Sequence, residues 1–260
     1  MTKYVAESGH WYEPTGEPAY TTLSNDGRVR NTTLRDARKR SLLPSVTTII
    51  QGTAAKPALE NWKIDQALLA ASTLVQGVDE PLGSFMARAK RESKQAGKIA
   101  ATRGTEIHGE IEQGFRTAGK GKPSVAYTAV VKVLDSVYPN EKWHAERSFA
   151  SPRGYGGAID LRSDDVFVDF KTKDNLDPSA RAPVYDEHGM QLSAYAEGVG
   201  VPVPRRMSLF LDRADPSIVS FFEWSEDSHA RHLAMFLTLL KYWKLQKKYD
   251  PTEEVNDEHS

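Results

Sequence analysis

The stretch GGAIDLRSDDVFVDFKTK, from Gly156 to Lys173, constrains the fold most, because two largely apolar runs flank a short polar centre. A two-residue turn at Asp164-Asp165 would make it a β-hairpin and set Asp160 directly opposite Asp169. Strand alternation then separates an apolar face from a polar one. The apolar face would carry Ile159, Leu161, Val168 and Phe170, and the other Asp160, Arg162, Phe167, Asp169 and Lys171.

Two carboxylates on facing strands lie ~5 Å apart and repel each other. Either both face solvent on an edge hairpin, or a cation lies between them. Carboxylate ligands in a chain without cysteine suit Mg²⁺ or Mn²⁺. Lys171, two residues after Asp169, would point to the same side and could orient or deprotonate an attacking water. The backbone carbonyl of Phe170 is a further candidate metal ligand.

The composition excludes several classes of protein. The 260 residues are 39% hydrophobic and 27% charged, which is typical of a soluble globular chain of one or two domains. The absence of cysteine excludes disulfides, Cys-ligated zinc and iron–sulfur clusters. No window approaches the ~18 apolar residues of a membrane span, and MTKYVAESGH has no apolar signal core. We therefore expect a cytoplasmic protein without a membrane partner.

The net charge of −1 conceals a segregation of charge along the chain. Arg28–Arg40 and Arg88–Arg103 each hold six basic residues and one acid, whereas Asp250–Ser260 holds five acids and no Lys or Arg. The basic segments indicate an anionic partner, or alternatively a solvated helix face. We expect the acidic tail, residues 249–260, to be disordered.

The order of the predicted elements indicates an α/β fold. Residues 1–55 should be irregular with short strands, including a β-branched strand at Ser45–Ile50, and residues 56–248 should form one domain. Helices are predicted at Pro57–Val75, at Pro81–Ala118 with a break near Gly104, and at Val125–Tyr138. Three strands, a helix, two strands and a last helix should follow from about Lys142. This order predicts a central mixed β-sheet flanked by helices, with a helical N-terminal part.

Three motifs together resemble a known family. The chain resembles the PD-(D/E)XK nuclease superfamily, in particular its RecB-like exonuclease branch, in Gly157-x-x-Asp160, Asp169-Phe170-Lys171-Thr172 and the downstream Gln191-x-x-x-Tyr195. TRGTEIHGEIE, residues 102–112, resembles the helix that supplies a histidine ligand in that branch, and the histidine maps to His108. LPSVTTII and KPALENWK resemble the N-terminal portion of phage-encoded exonucleases and of the mitochondrial genome maintenance exonuclease. The resemblance runs from about residue 40 to residue 225.

The sequence also departs from the family pattern in two places. The CRISPR-adaptation nucleases of this branch carry four cysteines for an iron–sulfur cluster, and this chain has none, so we expect no such cluster. The leading Pro-Asp pair is absent, because Ala158 and Ile159 precede Asp160.

The resemblance implies a restriction-endonuclease-like core that hydrolyses DNA phosphodiester bonds with Mg²⁺ or Mn²⁺. His108, Asp160, Asp169 and the Phe170 carbonyl would hold the metal. Lys171 would position the water, Gln191 would hold Lys171 or the substrate backbone, and Tyr195 would contact nucleic acid. Further candidates for substrate binding are Ser45, Thr47, Arg103, Arg153, Tyr155 and Lys173.

Some of these assignments have alternatives. Ser45 and Thr47 could bind a phosphate or support the metal site, or they could make only local hydrogen bonds. Glu146, on the strand before the hairpin, could reach the metal through a water.

The function predicted from these observations is a metal-dependent exonuclease acting on single-stranded DNA or duplex ends in phage recombination, replication or repair. A single-strand annealing or recombination protein is a candidate partner. Two alternatives stay open: a structure-specific endonuclease of the same superfamily, and a non-catalytic nucleic-acid-binding module. A circular single-stranded substrate separates the two enzymes, because only an endonuclease cuts it.

Overall fold

The computed structural model describes residues 9–55 and 57–253. The contacts divide the chain into two units, Ala55–Ile107 and the remainder, Met1–Ala54 with His108–Ser260. The segment before residue 55 belongs to the same unit as the sheet, and residues 55–107 form a unit of their own. The predicted domain boundaries stay a prediction. From residue 254 on, the predicted disordered tail lies outside the described residues.

The N-terminal part of the first unit consists of short elements. They are β1 (Trp11–Tyr12), β2 (Thr21–Leu23), β3 (Val29–Asn31), α1 (Leu34–Arg40), β4 (Leu43–Pro44) and α2 (Val46–Thr53). The strand predicted at Ser45–Ile50 is therefore wrong. Ser45 instead caps a helix, with its hydroxyl accepting a hydrogen bond from the Thr48 amide at 2.9 Å. The cap and the burial of Val46, Ile49 and Ile50 outweigh the β-preference of the branched side chains.

A five-stranded mixed sheet forms the centre of the first unit. Its strands are β5 (His144–Ser151), β6 (Tyr155–Arg162), β7 (Val166–Lys173), β8 (Arg205–Asp212) and β9 (Val219–Trp224), in the order β5-β6-β7-β8-β9. Only the β7–β8 pair of this sheet is parallel, and α6 (Asp186–Gly198) lies between these two strands in the chain. The predicted fold class, a central mixed sheet flanked by helices, is confirmed.

The predicted register of the β6–β7 hairpin is confirmed beside the turn. Leu161 pairs with Val168, Arg162 pairs with Phe167, and the Ser163 amide donates to the Val166 carbonyl at 3.0 Å. The paired residues end there, and the predicted pairing of Asp160 with Asp169 is the next step of the same count. The two acids therefore stand on neighbouring central strands and not on an edge hairpin.

Helices cover the sheet and supply the core. The largest buried cluster joins α2, α6 and α7 (Ser228–Lys247) to the sheet through side chains such as Ile49, Tyr155, Met190, Phe236 and Trp243. The helix α5 (Val125–Val137) buries Ala126, Val130 and Leu134, which recur every four residues along one face. This packing holds the strands that carry the acids in fixed positions.

The second unit contains α3 (Pro57–Thr73) and the first part of α4 (Leu82–Arg116), which ends in the first unit. The break predicted near Gly104 is absent, and α4 is continuous there. A glycine inside a helix costs only about 1 kcal/mol relative to alanine. The fully buried Ile107 and Ile111, on the following turns, offset that cost. None of the helices in the described ranges is long and apolar enough to cross a membrane.

Candidate active site

Four elements of the first unit bring the predicted site residues together. β6 supplies Asp160, β7 supplies Asp169 and Lys171, the C-terminal part of α4 supplies His108, and α6 supplies Gln191 and Tyr195. Hydrogen bonds and ion pairs join these side chains. Residues that are far apart in the sequence, such as His108 in α4 and Gln191 in α6, therefore contribute to the same site.

Asp169 lies at the centre of the first half of the site and is 1% exposed. The Lys171 Nζ lies 2.8 Å from Asp169 Oδ1 and 3.2 Å from Gln191 Oε1. The Gln191 Nε2 donates to Asp169 Oδ1 at 2.7 Å and to the Tyr195 hydroxyl at 2.9 Å. One helix turn, from Gln191 to Tyr195, therefore fixes both the carboxylate and the ammonium.

Asp160 forms the second half of the site. Its Oδ2 accepts a hydrogen bond from the Phe170 amide at 2.8 Å and lies 3.7 Å from His108 Nδ1. The His108 ring meets the Phe170 ring edge to face, with centroids 5.9 Å apart. The hydrogen bond from the β7 backbone holds the Asp160 carboxylate toward the strand that carries Asp169.

The two carboxyl groups have opposite tendencies to ionise. Burial favours the neutral form of Asp160, but His108 and then Lys171 outweigh it and lower the pKa of Asp160. Burial raises the pKa of Asp169, and the charge of Asp160 adds to this effect although Lys171 opposes it. Two neighbouring carboxyl groups that repel each other are not equally ionised in the absence of a further cation.

His108 responds to the same charges. Burial lowers the pKa of His108, but the Asp160 carboxylate outweighs burial, so the net shift of the His108 pKa is upward. An imidazole beside an ionised carboxylate is thus the positive partner of Asp160, as Lys171 is of Asp169.

Glu146 on β5 is a third acid beside the pair. Ala145 pairs with Leu161 and Arg147 pairs with Ile159, so Glu146 stands opposite Asp160. Burial, followed by the charges of Asp160 and Glu112, raises the pKa of Glu146 to about 7. The idea that Glu146 reaches a metal through a water stays a prediction.

Glu112 was not singled out from the sequence. It lies four residues after His108 in α4, and its charge acts on Glu146. The spacing of four residues, which sets two side chains on one helix face, is the signal that could have found it.

The glycine of the Gly157-x-x-Asp160 motif has a packing reason. A Cβ atom at Gly157 would lie 2.8 Å from the Phe149 ring and 2.9 Å from the Tyr195 ring. Those distances are too short for any side chain, so glycine lets the Tyr195 ring, and with it Gln191, approach β6. The motif therefore supports the site through close packing.

The donor set fits a hard divalent cation in its chemistry. Carboxylate oxygens with one imidazole are ligands that Mg²⁺ and Mn²⁺ accept. Asp169 Oδ2 is buried, and its charged partner in the structure is the Lys171 Nζ, 2.7 Å away. Within residues 9–55 and 57–253, however, no group of three or more His, Cys, Asp or Glu side chains already has the spacing of a metal site.

Two predicted substrate residues serve the local structure of α2. The Ser45 hydroxyl is buried, accepts from the Thr48 amide and donates to the Thr48 hydroxyl at 2.8 Å. The Thr47 hydroxyl lies 3.0 Å from that of Ser45. The alternative of local hydrogen bonds is what the structure contains. Ser45 also forms a β-bridge with Gly156, which attaches the start of α2 to β6.

Both tyrosines predicted to contact DNA are buried, and that prediction is corrected. Tyr155 is 0% exposed, and its hydroxyl donates to the Ala194 carbonyl at 2.8 Å and also meets Glu197. Tyr195 is 4% exposed, and burial followed by the charge of Asp169 holds the pKa of Tyr195 well above its usual range. A ring enclosed in this way has no face for a base.

The predicted basic contacts lie in different places. Arg153, in the turn between β5 and β6, pairs with Glu197. The Lys173 Nζ lies 5.8 Å from the centre of the Tyr185 ring. Arg103 belongs to the second unit, where its Nη1 lies 3.2 Å from Glu106. The contacts of these three with DNA stay predictions.

Comparison with known proteins gives only distant structural similarities. No protein-family model matches the chain, and no curated protein sequence matches it. Among solved structures, the chain is similar to an alkaline exonuclease (LHK-Exo) from Laribacter hongkongensis, with 14% identity, a TM-score of 0.37, and coverage of 73% of this chain and 95% of that one. It is also similar to the crystal structure of SSO0001, with 13% identity, a TM-score of 0.29, and coverage of 70% and 86%. Similarities of this size define no family and no activity.

Proposed function

We propose that this chain is a DNA exonuclease that hydrolyses phosphodiester bonds with Mg²⁺ or Mn²⁺. The observation that carries the proposal is the placement of Asp160 and Asp169 on neighbouring strands, with the ammonium of Lys171 anchored on Asp169. The buried Asp169, the partly exposed Asp160 and a lysine on adjacent strands cost desolvation energy, and a site for chemistry on a polyanion accounts for that cost.

Asp160 and Asp169, with His108, are the residues that would hold the cation. A divalent ion bound there would polarise a phosphoryl oxygen and neutralise charge that develops at phosphorus.

The chain's own residues would orient the reactants. Lys171, held by Asp169 and Gln191, can donate hydrogen bonds to an attacking water and to a phosphate oxygen. Gln191 fixes Lys171 through a contact of 3.2 Å and is itself fixed by Tyr195. These contacts support the view that the geometry around Lys171 is built before substrate arrives.

Digestion of end-labelled linear DNA, single-stranded and duplex, tests this function directly. We expect nucleotides to be released from the ends with Mg²⁺ or Mn²⁺ and no cleavage in EDTA. Lys171→Ala should abolish most of the activity, and Lys241→Ala, an exposed lysine on α7, should retain it. Cleavage that persists after complete chelation would refute the metal-dependent mechanism.

Circular single-stranded DNA in the same assay distinguishes the two kinds of nuclease. An exonuclease leaves the circle intact, and cutting of the circle would establish the endonuclease instead. DNA binding without any cleavage, under all metal conditions, would establish a non-catalytic binding module.

A further inference from the structure

A small cavity lies at the outer edge of the sheet, next to the acids. It has a volume of about 310 Å³ and is lined by Phe115 and Arg116 at the end of α4 and by residues 143–147 at the start of β5. Within residues 9–55 and 57–253, β5 is the outermost strand of the sheet, and the cavity opens beside it. We call this cavity the edge pocket.

Two aromatic rings line the edge pocket. Trp143 is half-buried, and its ring rests against Tyr138 with centroids 6.3 Å apart. Phe115 is supported in the same way by Tyr127, with centroids 5.1 Å apart. A partly exposed ring that is held from behind is a surface on which a flat base can stack.

Two guanidinium groups complete the lining. Arg116 pairs with Glu112 at 2.6 Å. Arg147 is exposed and, within the described part of the chain, has no hydrogen bond or ion pair. A guanidinium without an acid partner is available to a phosphate, which it can bind through two parallel hydrogen bonds.

The edge pocket shares one side chain with the candidate active site. Glu146 lines the pocket and stands opposite Asp160 in the neighbouring strand. A ligand in the pocket would therefore lie next to a phosphate bound at the acids.

We propose that the edge pocket binds one unpaired nucleotide of the DNA strand, with the base stacked on Trp143 and a phosphate on Arg147. The nucleotide would neighbour the one whose phosphate lies at Asp160 and Asp169. The proposal rests on the proposed function in taking DNA as the ligand. A cavity of this volume accommodates about one nucleotide, and a base can enter only where the strand is unpaired, because stacking requires a free face.

A binding experiment without cleavage tests the pocket separately from the enzymatic activity. Labelled single-stranded oligonucleotides, each with one abasic site at a successive position from the end, are titrated by fluorescence anisotropy in EDTA. With the parent protein, one position should lower the affinity by roughly 5- to 150-fold, the range for loss of one stacked base. With Trp143→Ala that position should lose its effect, and with Trp143→Phe the effect should return.

Two further variants complete the experiment. Tyr242→Ala removes an exposed aromatic ring on α7, outside the pocket, and should behave as the parent does. Arg147→Gln should weaken binding to every oligonucleotide by the same factor and reduce the salt dependence, since it removes a phosphate contact.

The outcomes separate the pocket from the proposed function. If every abasic position has the same effect, the proposal that the edge pocket binds a nucleotide is refuted, even if the protein digests DNA. The same holds if the position effect survives in Trp143→Ala. A position effect that depends on Trp143 would support the pocket even if no cleavage is found with any metal. Absence of oligonucleotide binding by the parent would overturn the proposal of a nucleotide in the edge pocket, whereas the proposed function is tested separately by digestion with Mg²⁺ or Mn²⁺.

Discussion

Replacement of Glu146 by glutamine should make the metal-free protein more stable at high pH. Burial and the charge of Asp160 raise the pKa of Glu146 from its ordinary value of 4.5 to about 7. The folded state thus retains a proton that the unfolded chain has already lost. The stabilising effect of this proton is fully present below pH 4.5 and is lost as the pH rises to about 7.

The size of the effect follows from the two pKa values. A rise from 4.5 to about 7 corresponds to roughly 3 kcal/mol of lost stability once Glu146 is ionised in both states. Glutamine keeps the shape of the side chain without its charge. The variant should therefore exceed the parent by about 3 kcal/mol near pH 8, which raises the melting temperature by at least about 6 °C. Near pH 4.5 the difference should be small.

Thermal melts of both proteins in EDTA, at about pH 4.5 and pH 8, measure this difference. Glu226→Gln, at an exposed glutamate before α7, is the matched control and should show no pH-dependent gain. If Glu146→Gln melts at the same temperature as the parent at both pH values, or is less stable at high pH, Glu146 does not face the charge of Asp160 and the reasoning fails.

Three other substitutions test the roles of Lys171, Ser45 and Gly157. Lys171→Ala should lower the rate of DNA cleavage by on the order of 100-fold or more while binding, measured by anisotropy in EDTA, is retained; near-parental turnover would make Lys171 merely structural. Ser45→Ala should cost about 1 kcal/mol in a thermal melt, as loss of a helix cap does, and leave DNA affinity unchanged; weaker binding at equal stability would assign Ser45 to the substrate. Gly157→Ala should displace Tyr195 and thus Gln191, and so reduce cleavage more than DNA binding; full activity would show that the close packing is dispensable.

The sheet and the acid pair could be predicted from the sequence because they depend on local rules. Strand alternation separates Leu161 and Val168 from Asp160 and Asp169, and a shift by one residue would have mixed the two faces. The same alternation identified Asp160, Asp169 and Lys171, whereas His108, Gln191 and Tyr195 were indicated only by the resemblance to the nuclease superfamily.

The errors arose where tertiary packing or capping decides the outcome. The β-branched run after Ser45 is a helix because the Ser45 hydroxyl caps it and its apolar face is buried. The burial of Tyr155 could not be predicted from the local sequence, because Phe236 from α7 covers its ring at a centroid distance of 4.9 Å. α4 continues through Gly104 because the burial of residues on the following turns outweighs one weak helix former.

Thermal melts with and without Mn²⁺ measure whether Asp160 and Asp169 hold a cation between them. A ligand that binds only the native state stabilises it by mass action, by about 2.7 kcal/mol at a concentration 100 times the Kd. The parent should gain stability with Mn²⁺. Asp169→Asn should be at least as stable as the metal-free parent, since it relieves the repulsion, yet gain little on adding Mn²⁺. Asp164→Asn, at an exposed acid in the turn of the same hairpin, should gain as the parent does. An equal gain in Asp169→Asn, or no gain in the parent, would contradict a metal site at these two acids.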